Sequence, residues 1–284
     1  MSRVFSADFA GQAVRVALPY MGAAMGGVWS ERAGVINVAL EGTMLVAALA
    51  AAWGALVSGS VLFALVCAAL AGIAVQSLHG AAVVHGRADP IVSGLAVNLL
   101  AAAGTRFLLR ALYGSASNSP PIPGRGAAGV LADPASWMVV AVVVASVLAL
   151  PRTRFGLRVR AVGEHPEAAA SLGVSVARTR MLAVVVAGVC AGLAGAWLAL
   201  DQRQFSSGMS SGRGYIALAI LVLSRHRPGR AALFAIAFGA AEALELVAQE
   251  SAKVPHQLVQ TLPYVATLVA LVAVGFRPVR GVRE

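Results

Sequence analysis

Few residues in this chain can do chemistry, and they fall into four clusters. The first, SERAGVINVALEGTML, runs from Ser30 to Leu45. It sets the charged pair Glu31 and Arg32 beside an apolar run, then Asn37 and Glu41 at the spacing of one helical turn. A carboxylate and an amide inside an apolar stretch can line a polar route for a solute. They can equally neutralise a partner such as an arginine and fix helix packing. The second cluster, DPIVSGLAVNLLAAAGTRFLLR, opens a helix at Asp89 and Pro90 and carries Ser93, Gly94 and Asn98 as a small, polar stripe. Such a stripe suits close helix packing and amide bridges as well as ligand contact. In the third, Glu242, Glu245 and Gln249 share one helix face by i+3 and i+4 spacing. Two carboxylates there can couple protons or pair with neighbouring helices. The fourth, FSSGMSSGRGYIALAI from Phe205 to Ile220, is a flexible lead into a short apolar run.

Other chemistries lack their residues. A phosphate-binding loop needs Gly-x-x-x-x-Gly-Lys-Ser/Thr, and the only lysine, Lys253, has no such glycines before it. An ATPase of that type is therefore excluded. The five histidines have no metal-ligand spacing with carboxylates or cysteines, so no metal site is expected. Cys67 and Cys190 both fall inside apolar runs, which favours small buried side chains over a disulfide.

The elements that hold these clusters must be membrane helices. The chain is 59% hydrophobic and 12% charged, with mean hydropathy +0.80. A soluble domain carries about 25% charged residues. The expectation is an all-α polytopic bundle of about 8–10 spans, each of roughly 20 apolar residues. Candidate spans lie near 11–29, 35–54, 59–78, 90–111, 135–151, 180–200, 212–224, 230–249 and 257–276. The first span has no secretory-signal layout and is expected to stay. The short 212–224 segment reads as a broken or half-crossing helix. Its GYIALAI echoes GVINVAL at Gly34–Leu40, as an inverted repeat would. Residues 112–134, rich in Gly, Pro and Ser, read as an irregular external loop.

Orientation follows from the arginines. The longest polar interval, Arg152–Arg180, carries six arginines and two glutamates. With that interval in the cytoplasm, Arg32, Arg87, the RHRPGR turn at 225–230 and the tail FRPVRGVRE fall on the same side. Nine crossings then put the N-terminus outside. The net charge of +10 thus sits in loops between spans, which points to lipid anchoring and not to nucleic acid. Inside the interval, EHPEAAASLG reads as a small helix. Pro166 suits its first position, Glu167 its positive end, and Gly173 a left-handed cap. Two turns are too short to persist alone. This helix needs something to pack on.

With those residues in view, the chain resembles the permeases of ATP-binding cassette (ABC) importers in the branched-chain amino acid, simple sugar and nucleoside group. ERAGVINVALEGTML, IVSGLAVNLLAAAGTRFL, GLRVRAVGEHPEAAASLGVSV and GMSSGRGYIALAI are similar to family blocks and stand in family order. The combination of the first and last is most like the nucleoside branch. The resemblance implies one transmembrane permease domain over 1–284, with a cytoplasmic coupling loop at 152–180. It implies that Gly163, Glu164, His165, Pro166, Glu167, Ala168, Ala169 and Gly173 form the element that docks on an ATPase. Asn37, Glu41, Ser93 and Asn98 are the expected pathway residues. Implied partners are a second permease of similar fold, a cytoplasmic ABC ATPase carrying ATP and Mg, and an external substrate-binding lipoprotein. The expected location is the bacterial plasma (inner) membrane, with no cofactor in this chain. The RHRPGR turn departs from the family in being basic. Two other classes stand beside this reading. One is a secondary transporter coupled to protons through Glu41, Glu242 and Glu245; the other is a non-transporting scaffold. Sugars and branched-chain amino acids are the alternative cargoes.

Overall fold

One helix organises the packing. The computed structural model describes residues 7–123 and 133–251, and their regular elements are helical. Helix α8 (Val176–Gln202) is about 40 Å long at 1.5 Å per residue. Among the helices apolar enough to cross a membrane, its apolar stretch is the most buried. Helices α1 (Ala7–Arg32), α2 (Leu40–Ser58) and α3 (Val61–Gly80) pack around it.

Small residues allow that close approach. A Cβ added to Gly22 or Gly26 of α1 would meet Ala194 Cβ or the Ala187 carbonyl, each at 2.8 Å. On another side of α8, a Cβ on Gly188 would come within 2.6 Å of the Gly72 carbonyl. One on Gly192 would come within 2.7 Å of the Ala68 carbonyl. Lipid is as apolar as leucine, so helices in a bilayer associate through such close contact. The apolar side chains face outward instead: Leu62, Phe63 and Leu70 on α3 are exposed. So are Leu99 and Phe107 on α4 (Pro90–Tyr113).

Among the described residues, five helices are long and apolar enough to cross a membrane. They are α2, α3 with its π-helical continuation Ala81–His85, α4, α5 (Pro134–Arg152) and α8. Helix α9 (Arg213–Ser224) has only 12 residues, and α10 (Pro228–Ser251) follows it. The 257–276 segment, Lys253 and the arginines of the tail lie outside the described residues.

The loops gather at two opposite ends of α8. At the end where α8 begins, Arg180 Nε donates to the Ala33 carbonyl at 3.1 Å. Arg32 donates to the His226 carbonyl at 2.9 Å and lies 3.5 Å from the Glu164 carboxylate. His226 Nε2 donates to Glu31 at 2.6 Å. The basic turn between α9 and α10 needs these contacts, because Arg225 (φ 53) and His226 (φ 56) are both left-handed. At the other end, residues 117–122 and 203–207 zip together. Ser119 donates to Phe205, Ile122 to Arg203, and Ser207 to Ser117, at 2.7 to 2.9 Å. Part of the expected irregular loop at 112–134 is thus ordered by backbone pairing.

Two expectations need correction. The span placed at 35–54 is helical only from Leu40, and residues 33–39 are irregular. Gly34 at φ +83 breaks the path of α1 and turns the chain inward. Asn37 and Glu41 are therefore not partners on one helix. The polar interval also holds two helices, α6 (Arg154–Glu164) and α7 (Pro166–Ser171), with His165 as the hinge between them. The arginines of α6 hid its amphipathic pattern. Phe155 stacks on Trp29 at 5.6 Å, and Val159 and Val162 are buried. The cap placed at Gly173 forms: φ is +80, and Gly173 and Val174 donate back to Ala170 and Ala169.

Substituting Gly188→Val should destabilise the protein by about 1–3 kcal/mol through overpacking. Gly104→Val has open space around it and serves as the neutral control. Thermal unfolding in detergent measures both. Equal melting temperatures for the two variants would contradict the tight α3–α8 contact.

Candidate translocation pathway

Two helices begin against each other within the bundle. The chain leaves α1 beside the start of α8 and runs through residues 33–39 before α2 starts. It leaves the far end of α8 and runs through residues 203–212 before α9 starts. The two first turns abut, with Gly214 pressed against the backbone and Cβ of Glu41. Helices of 19 and 12 residues measure about 28 and 18 Å. Set end to end they come close to the 40–45 Å of a bilayer with its headgroups.

Glu41 closes that junction. One carboxylate oxygen accepts from the Gly212 N–H at 2.9 Å, and the other from the Gly214 N–H at 2.7 Å. The same carboxylate lies in the first turn of α2. One negative charge thus stands at two positive helix ends. Gly214 is needed because any side chain there would collide with α2. From the other side, Arg213 pairs with Glu242 of α10 at 2.8 Å, and Tyr20 of α1 also donates to Glu242. The start of α9 is held through its backbone by α2 and through its side chain by α10. Glu245 is buried on α10, and the side chain of Gln249 lies outside the described part.

The irregular approach 33–39 is clamped by side chains, as backbone at membrane depth must be. Asn37 and Gln76 exchange amide hydrogen bonds at 2.9 and 3.1 Å, and both are fully buried. Ser30 and Thr43 complete this cluster. His79 Nε2 donates to the Ile36 carbonyl at 3.2 Å while its Nδ1 accepts from Ser93 at 3.0 Å. Asn98 does three things at once. It accepts from the Gly42 N–H at 2.8 Å and donates to the Val38 carbonyl at 2.9 Å. It also donates to the Tyr215 hydroxyl at 3.1 Å.

The four expected pathway residues therefore converge on one region. Glu41 and Ser93 are half-buried, Asn98 is nearly buried, and Asn37 is enclosed. Sequence reasoning missed Gln76, His79, Arg213 and Tyr215. Gln76 and His79, three apart in an otherwise apolar helix, were the available signal. The echo between Gly34–Leu40 and Gly214–Ile220 joins two parts of different conformation, one irregular and one helical. Gly208-Met-Ser-Ser-Gly212 spells a hydrolase elbow in letters only. No strand precedes it, and Ser210 is buried.

Glu41→Ala leaves the Gly212 and Gly214 N–H groups without their acceptor, at about 1–3 kcal/mol for each buried group. Glu41→Gln keeps one acceptor and should lose less. Protease resistance of the detergent-purified protein ranks the variants. An alanine variant as resistant as wild type would mean that the junction does not depend on this carboxylate.

Comparison with known proteins follows the same region and most of the chain. The family described as branched-chain amino acid transport system / permease component matches residues 9–272. The guanosine ABC transporter permease protein NupQ of Bacillus subtilis (strain 168) is 35% identical over 283 residues. That alignment covers 90% of this chain and 88% of NupQ. The nucleoside ABC transporter permease protein NupC of Lactococcus lactis subsp. cremoris is 33% identical, covering 89% of this chain and 87% of NupC. The putative glucose ABC transporter permease protein TsgC13 of Haloferax volcanii is 34% identical, covering 86% and 79%.

Proposed function

The chain belongs to the permease-component family of branched-chain amino acid transport systems, and on that premise we propose that it carries nucleosides inward. It is a multi-pass membrane permease and a transport subunit. The observation that carries the cargo is the pair of nucleoside permeases, NupQ and NupC, similar over about nine-tenths of this chain. A sugar is the second reading, favoured by TsgC13 at 34% identity.

The energy comes from a separate cytoplasmic ATPase chain that binds ATP and Mg, since this chain has no phosphate-binding loop. Its docking element is the α6–α7 elbow: Gly163, Glu164, His165, Pro166, Glu167, Ala168, Ala169 and Gly173. Three features support that role. Helix α7 is exposed on nearly every side except Ala169. Leu172 at its end is 85% exposed, an apolar anchor with nothing of its own chain on it. Gly163 packs directly on the backbone of Arg32 and Ala33, so motion of the elbow reaches the 33–39 approach. A second permease of similar fold and an external binding lipoprotein complete the transporter.

Transport follows by alternating access. ATP binding draws the ATPases together, the elbow moves with them, and the α2–α9 junction changes its exposure. Asn98, Ser93 and Glu41 line the wall that changes, while Asn37 holds the backbone behind it. Coupling requires the two states to differ in affinity for cargo or ATPase. Helix α9 is the natural moving part, because it is short and its first turn is held by polar contacts.

Uptake of labelled nucleosides, sugars and amino acids by cells with and without this gene decides the cargo. Nucleoside uptake should disappear with the gene, and loss of sugar uptake alone would replace the nucleoside reading. Glu167→Arg with Leu172→Ala leaves the Arg32–Glu164 pair intact. It should cut uptake at least about tenfold, the equivalent of 1.4 kcal/mol, with membrane levels unchanged. Undiminished uptake would remove α7 from the docking surface.

A further inference from the structure

Two polar groups on one side of α4 reach across to the chain that leads into α9. Arg106, two turns beyond Asn98, donates to Ser207 at 3.0 Å. Asn98 itself holds Tyr215. The stretch 207–215 is thus fastened to one face of α4 at two points eight residues apart. Along it Gly208, Ser211 and Tyr215 are exposed. Ser211 is also left-handed, at φ 48. Irregular backbone within a bilayer does not face lipid, and the exposed glycine and serine make this side polar.

Tyr215 differs from its neighbours on that strip. It lies in the first turn of α9, about 15 Å from the cytoplasmic end of that helix. The residue is 44% exposed, and its hydroxyl is held by an amide that is itself pinned to the backbone of Val38 and Gly42. A ring held this way is an apolar face of fixed position, on a stretch that also carries Ser207 and Ser211. That combination suits a molecule with one flat π-face and several hydroxyls.

We infer that the Tyr215 ring is the surface on which a nucleobase stacks as it passes the α2–α9 junction, with Ser207 and Ser211 near the ribose. The inference rests on the nucleoside reading. Stacking is tolerant of base identity because every base has a π-face. Tyr215 therefore separates nucleosides from free sugars and passes purines and pyrimidines alike.

The test uses the full transporter, reconstituted with its ATPase and binding protein. Tyr215→Phe keeps the ring but loses the contact with Asn98, and should retain more of the guanosine rate than Tyr215→Leu. Tyr215→Leu should lower the maximal guanosine rate about tenfold or more, the scale of one lost stacking contact. Its melting temperature should match that of Tyr215→Phe, which loses the same hydrogen bond, so a lower rate in the leucine variant alone reports the lost ring. Ultraviolet irradiation with 8-azidoguanosine should label the peptide containing Tyr215, and excess guanosine should prevent it. Wild type that moves guanosine, alongside a leucine variant that moves it equally fast and an unlabelled peptide, overturns the role of Tyr215 and leaves the nucleoside reading standing. Wild type that moves no nucleoside overturns both.

Discussion

A single carboxylate holds two helix beginnings against each other within the bundle. Glu41 accepts from the backbone of α9 while standing in the first turn of α2. Without a negative charge there, two positive helix ends would face each other in a medium that cannot solvate them. The rest of the architecture follows from that requirement. Residues 33–39 and 203–212 must reach the junction without regular structure, and each needs side chains to satisfy its backbone. Gln76, His79 and Asn98 serve the first approach. Pairing with 117–122 and the contact from Arg106 serve the second.

Against this polar seam stands a dry one. Helix α8 meets α1 and α3 through glycine and alanine, where backbones approach closely. Contacts of that kind admit little sliding, since close-packed interiors have few intermediate arrangements. The polar seam is different: its hydrogen bonds are local, exchangeable and partly exposed. The molecule is therefore stiff where α8 meets α1, α2 and α3, and adaptable at the first turns of α2 and α9 and along α4. The α6–α7 elbow touches the end of α1 and the start of the 33–39 approach, through Arg32 and Ala33.

The membrane class, the long helices, the caps at Asp89 and Gly173 and the shortness of α9 were legible from composition, periodicity and turn residues. The break after Arg32 was not, because VINVAL is as apolar as any helix. Only the contacts from Asn98, His79 and Arg180 show why it stays open. Helix α6 was hidden by its own arginines, which read as loop charge although Phe155, Val159 and Val162 fall on one face. The expected pathway residues were chosen by type, and the contacts they make were not legible. Sequence separates Glu41 from Gly212 by 171 positions, and no local pattern links them. Glu242 showed the same limit: its helical spacing suggested a carboxylate face, whereas its partners are an arginine and a tyrosine on other helices.

The distance along the chain between the two halves of the junction also sets a timetable. At a synthesis rate of 5–20 residues per second, about ten to thirty seconds pass between the emergence of Glu41 and that of Gly212. Helix α9 is too short to be recognised as a span by itself. It can settle only against an α2 already in the bilayer with its carboxylate still unclaimed. The order of biogenesis is therefore written into the length of one helix. The last half-helix to arrive completes a site that the second helix has been holding open since early in translation.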